Sequence, residues 1–177
     1  VMNQQRQVIY KRRNNLLKLG EGVNFLPDVS YNIVYSTIEK HSPEKSASSN
    51  WEVPKAEEAL KAEFNFPIKL KADDLESLSI DVLVQSAHDQ LMQQYTAKTQ
   101  MVGADNMKMV ENHVYLQIID TMWKEHLLSM DHLRDSVRLR AHGQRDPLQE
   151  YKKEGFRYFA TLMERIEDET VLALLRM

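Results

Sequence analysis

Side chains along this chain of 177 residues recur every three or four positions over long stretches, the period of an α-helix seen from one side. Met2, Gln5, Ile9, Arg12 and Leu16 keep that spacing from the first residues, and Gly20 and Gly22 supply the stop signal that ends a first helix near Leu19. No capping residue precedes Met2, so the pattern predicts that Val1 is a cut end within something longer. Pro27 and Asp28 open a second helix with Tyr31, Val34, Tyr35 and Ile38 on its apolar side. The run HSPEKSASSN, His41 to Asn50, reads as a polar, Ser-rich linker or loop. Trp51 is expected to anchor the start of a short helix, in which Ala56, Leu60 and Phe64 recur every fourth residue until Pro67 stops it.

Two longer patterns follow. Ile80, Leu83, Ala87, Leu91, Tyr95 and Val102 predict one helix from about Ser79 to Gly103. Met107, Val110, Val114, Ile118, Met122, His126, Met130, Leu133 and Val137 then form a stripe from Asn106 to Arg140, widened by Leu116, Ile119, Trp123 and Leu127. Unbroken, that helix is about 52 Å long. Its end is legible chemically: Gly143 can take the left-handed closing conformation, Asp146 caps the next helix, Pro147 fills its first position and Gln149 completes a capping box. The last helix turns Tyr151, Gly155, Phe159, Leu162 and Ile166 to one face, with Phe156 and Met163 beside them. Two long helices joined by a few residues must lie antiparallel, so the expected fold is all-α, built on a long helical hairpin with Trp123, Leu127, Met130, Leu133, Tyr151 and Phe159 in its core.

Composition narrows the chemistry. There is no cysteine, which removes disulfide frameworks, thiolate zinc sites and thiol nucleophiles. Five glycines never gather into a phosphate-binding loop or dinucleotide fingerprint, so a nucleotide enzyme of the usual kinds is not expected and no cofactor site is predicted within the chain. With 42% hydrophobic and 28% charged residues the chain reads as a soluble, helix-rich protein, and no apolar run approaches the roughly 20 residues that span a bilayer. The start VMNQQRQVIYKRR lacks the apolar core of a signal peptide.

Candidate chemistry is sparse. Six histidines include no HExxH pair, and His126 and His132 lie six apart, too far round a helix to share a metal. They read as surface or interhelical hydrogen-bonding groups, and no metal or catalytic residue is predicted. Asp73 with Asp74 and Glu57 with Glu58 read as caps or solvated faces. The hairpin end differs in charge. Arg134, Arg138, Arg140, Arg145, Lys152 and Lys153 face only Asp135, Asp146 and Glu150, an excess of three positive charges in a chain of net charge −3. Arg138 and Arg140 can serve the negative end of their helix dipole, whereas Lys152 and Lys153 sit where a dipole disfavours them. Three readings stay open on the residues alone: a contact site at the tip, a helical adaptor that binds a protein partner through the hairpin, or a basic-tipped nucleic-acid module. No aromatic side chains interleave the tip arginines as single-strand binding would require.

The stretch TMWKEHLLSMDHLRDSVRLRAHGQRDPLQEYKKEGFRYF, Thr121 to Phe159, resembles the C-terminal signature of the SecA family, the ATP-driven motors of bacterial preprotein export. The family pattern of WKEHL, M-D-x-L-R, L-R and Q-[KR]-D-P-x-x-E-Y-K stands at Trp123 to Leu127, Met130 to Arg134, Leu139 to Arg140 and Gln144 to Lys152. VMNQQRQVIYKRRN resembles the end of the family's scaffold helix, and VGADNM, Val102 to Met107, the return from an inserted wing.

The resemblance implies a helical scaffold domain over 1–19 and 104–177 with a helical wing domain over 20–103. It implies that the hairpin is a two-helix finger whose tip, Arg140, Ala141, His142, Gly143, Gln144 and Arg145, meets the SecYEG channel and the unfolded preprotein. Arg134, Arg138, Lys152 and Lys153 would support the tip. The chain would be a non-catalytic part that regulates ATP turnover in motor domains lying outside it, where ATP and magnesium bind. The parent would be cytoplasmic and peripherally attached to the inner membrane, with a homodimer among its expected assemblies and no specific nucleic-acid partner. His142 stands where the family often carries a bulky Tyr. It retains a flat ring with a hydrogen-bonding edge, and its charge can change near neutral pH.

Overall fold

The computed structural model describes residues 1–19, 22–71, 79–140, 143 and 146–177, with Leu19 described by its backbone alone. Among them it holds six α-helices and no strand: α1 (Met2–Leu19), α2 (Leu26–His41), α3 (Val53–Phe64), α4 (Ile80–Val102), α5 (Ala104–Arg140) and α6 (Pro147–Arg176). No helix of the described residues is long and apolar enough to cross a membrane.

The boundaries follow local chemistry. Pro27 and Pro54 sit in the first turns of α2 and α3, where a missing N–H costs nothing. Ser79 caps α4 by accepting from the Val82 N–H at 3.3 Å. Gly103 separates α4 from α5 with φ +90°, donating to Thr99 O at 2.9 Å and accepting from Met107 N at 2.9 Å. One glycine thus ends one helix and starts the next, which a side chain would strain. Asn65 ends α3 in the left-handed region, φ 52°. Asn65 and Gly103 are the positive-φ residues of the described chain. Gly143 instead donates its N–H to Arg140 O at 3.2 Å.

The chain forms two compact units. The first comprises 1–23 and 111–169, the second 24–110 and 170–177.

In the first unit α1 packs along both long helices. Gln5 reaches Gly155, Arg12 reaches Glu167 and Arg13 reaches Asp120, so α1 runs parallel to α6 and antiparallel to α5. Tyr115, Ile119, Met122, Trp123, His126, Met130, Leu133 and Val137 are the buried face of α5. The expected stripe slips after Met107: Val110 is exposed, Val114 and Ile118 are half-buried, and Tyr115, which lies off that stripe, is core. On α6, Gly155, Leu162 and Ile166 are buried, Tyr151 and Phe159 half-buried, and Phe156 is 73% exposed. Full burial of a side chain such as Ile119 or Ile166 contributes about 1.5–3 kcal/mol. The half-exposed ion pairs Arg12–Glu167 (3.6 Å) and Arg13–Asp120 (3.1 Å) contribute at most about 1 kcal/mol each. Packing therefore holds this bundle, and the ion pairs serve its register.

In the second unit α2 packs on both α3 and α4. Val34, Ile38, Leu60, Phe64, Leu83 and Leu91 form its core, joined by Val171, Leu172, Leu174 and Leu175 from the end of α6. His41 to Asn50 is more ordered than a polar linker. Ser48–Asn50 form a 3-10 turn, Glu52 N donates to His41 O at 2.9 Å, and Ser42 is buried. Trp51 holds this loop: its indole N–H donates to Pro43 O and to the Ser46 hydroxyl. The indole thus fastens the loop before it, a job distinct from anchoring the start of α3.

Candidate functional site

The hairpin of α5 and α6 carries the residues singled out in the sequence, and its inner layers explain why the chain folds this way. Met130, Leu133 and Val137 make a buried cluster against which Met2 and Tyr151 pack. Trp123 is buried and Leu127 and Phe159 are half-buried. Gly155 lets the helices approach: a Cβ there would stand 2.8 Å from Met130 Cε. Its carbonyl accepts from Gln5 Nε2 at 3.2 Å, and Gln5 Oε1 lies 2.7 Å from His126 Nε2.

That short chain fixes protons. Because Gln5 donates through its amide nitrogen, its oxygen must accept, and His126 Nε2 must carry the hydrogen. His126 also stacks on Trp123, centroids 5.5 Å apart, and lies 5.9 Å from Phe159. Burial pushes its pKa below the ordinary 6.5, so the neutral ring is favoured. Sequence reasoning placed His126 on the stripe but missed Gln5 as its partner. The signal was present in the helical spacing of Gln5 between Met2 and Ile9, a polar residue flanked by apolar ones on the same face.

At the hairpin end, Arg138 and Arg140 occupy the last turn of α5, and α6 begins with Asp146 Oδ1 accepting from Leu148 N at 3.0 Å. Arg140 is engaged twice, with Glu154 at 3.2 Å and the Ser136 hydroxyl at 3.0 Å. Arg134 lies 3.8 Å from both Asp131 and Asp135. Arg138, Lys152 and Lys153 are exposed and have no ion-pair partner among the described residues. Ala141, His142, Gln144 and Arg145 lie outside the described residues; Gly143 is exposed. Leu139 is 77% and Leu148 56% exposed, so apolar surface flanks the tip on both helices. In the sequence Leu139 stands only as part of the L-R motif, off the stripe between Arg138 and Arg140, and Leu148 carries no signal of its own. Among the described residues no group of three or more His, Asp or Glu side chains could hold a metal ion.

A long helical hairpin braced by an earlier helix, with a second helical unit drawn mostly from the sequence between them, defines a helical scaffold with a basic hairpin end. The whole chain, residues 1–177, matches the model of the SecA wing and scaffold domain. It is 39% identical over 171 residues to the protein translocase subunit SecA of Solibacter usitatus, covering 97% of this chain and 18% of that protein. The SecA subunits of Burkholderia multivorans (33% identical, 96% of this chain, 18% of that protein) and Alcanivorax borkumensis (34%, 98% and 19%) are similar to it over the same span. The chain belongs to the SecA family, as its wing and scaffold part, and spans about a fifth of the length of these curated relatives.

Proposed function

We propose that the chain is the mechanical, non-catalytic part of a preprotein translocase, transmitting ATP-driven movement of separate motor domains to a polypeptide passing through the SecYEG channel. The scaffold would be residues 1–19 and 104–177, the wing 20–103, and the α5–α6 hairpin the element that enters the channel mouth. ATP and magnesium would bind only in the motor domains, and the parent would work at the cytoplasmic face of the inner membrane. The observation that carries this reading is the motif-bearing hairpin from Thr121 to Phe159, in a chain matched throughout to the wing and scaffold domain. A packed antiparallel pair transmits displacement as a rod while its ends hinge, which suits the role.

The tip residues Arg140 to Arg145 would touch the moving chain, with Arg134, Arg138, Lys152 and Lys153 setting a positive field around them. In the complete translocase, His142→Gly should lower the amount of preprotein moved per ATP hydrolysed; an unchanged ratio removes the tip ring from the mechanism. Mixing this chain with the separate motor half should alter the motor's ATPase rate. A rate insensitive to a saturating excess would overturn the regulatory role.

A further inference from the structure

A groove of about 610 Å³ lies between α5 and α6 in the first unit. Ser129, His132 and Ser136 form one wall, and Arg157, Thr161 and Arg165 the other. Leu133 and Leu162, both buried, contribute its apolar lining. Among all the lining side chains, Arg140, Arg157 and Arg165 face a single carboxylate, Glu125. Arg140 is neutralised by Glu154, but Arg157 and Arg165 have no ion-pair partner among the described residues. In a chain of net negative charge, two unengaged guanidinium groups above an apolar lining with hydroxyls between them form a local anion-seeking surface.

We propose that this groove receives an extended acidic polypeptide segment, with carboxylates four residues apart paired to Arg157 and Arg165 and an apolar side chain midway between them. The spacing argues for it. Arg157 and Arg165 are eight residues apart on one helix, about 12 Å. Residues i and i+4 of an extended chain lie on one face about 13 Å apart, with i+2 between them on the same side. The wall from Ser129 to Arg140 is about 16 Å long, room for roughly five extended residues. Hydroxyls along both walls suit backbone carbonyls and amides. A nucleic acid fits less well: Tyr158 is the one aromatic residue of the lining besides the two histidines, so a stacking platform is missing. The inference goes beyond the proposed translocase role and does not depend on the tip.

The experiment is fluorescence anisotropy of a labelled Glu-Ala-Leu-Ala-Glu peptide titrated with this chain at low salt, beside the uncharged Gln-Ala-Leu-Ala-Gln peptide. The acidic peptide should bind saturably with a Kd below about 1 mM and weaken as salt rises. The double variant R157Q/R165Q should weaken it about ten-fold or more, whereas R6Q/K11Q, which removes the same charge from the exposed face of α1, should not. All four substituted side chains are exposed, so the fold is expected to survive in both variants. Equal binding of the uncharged peptide, equal loss in the α1 variant, or no binding of the acidic peptide overturns the proposal. A dT12 oligonucleotide that binds the groove more tightly than the peptide also overturns it, in favour of a nucleic-acid ligand.

Discussion

His126 is buried in the first unit with its Nε2–H on Gln5, and His88 is buried in the second, where its Nε2 lies 2.9 Å from the Ser30 hydroxyl and 3.0 Å from Pro27 O. Burial holds both pKa values below the ordinary 6.5. As pH falls through about 6.5 the unfolded chain takes up these protons before the folded one, so stability is full above that value and is lost below it. Urea midpoints should therefore be lower at about pH 5.5 than at about pH 7.5; equal midpoints would contradict the burial of both rings. Gln5→Ala should cost about 1–3 kcal/mol, because it strands the His126 N–H in the core. At Gly155 the nearest obstacle is the flexible end of Met130, so Gly155→Ala should stay within about 1 kcal/mol of the parent while Gly155→Leu costs about 1–3 kcal/mol. Chemical denaturation of the three variants separates these cases.

At the scale of elements, the helices were legible because each boundary is written in short-range chemistry. Pro27, Pro54, Ser79 and Gly103 act within one turn, and none needs a distant partner. Two features were less legible, both for lack of such partners. Within the first unit the buried face of α5 begins at Tyr115, whereas Met107 is buried in the second, because that helix passes from one compact unit to the other after residue 110, and periodicity alone cannot show which neighbour a turn will meet. The loop after α2 reads as polar because its order comes from backbone bonds and from one side chain, Trp51, bonding back eight residues to Pro43. Trp51→Phe keeps the ring and removes both indole hydrogen bonds, and should speed amide exchange across residues 43–52 while leaving α4 protected. Unchanged exchange would mean that the backbone bonds suffice. The candidate site divides the same way: the basic excess was countable, but the Arg157 and Arg165 wall emerges only when α6 is set against α5.

At the scale of the whole molecule, each compact unit has its own set of fully buried side chains, such as Ile119 and Ile166 in the first and Leu60 and Phe64 in the second. Leu60→Ala should cost about 2–5 kcal/mol locally. Hydrogen exchange should then show α2, α3 and α4 losing protection well before residues 115–137. Simultaneous loss in both would show that the two cores unfold as one.

Residues 170–177 belong to the second unit although all but Met177 form the last turns of a helix that begins in the first. Val171, Leu172, Leu174 and Leu175 are all at or below 8% exposure, Arg176 donates to Glu63 O, and Lys98 reaches the carbonyls of Leu175 and Met177. In sequence the second unit is therefore not one inserted segment but a segment closed by a distant clasp. A gene fragment encoding 24–110 alone would leave four leucine- and valine-sized holes in its core, so that piece needs 170–177 supplied, in cis or as a peptide, before it can be handled as a domain.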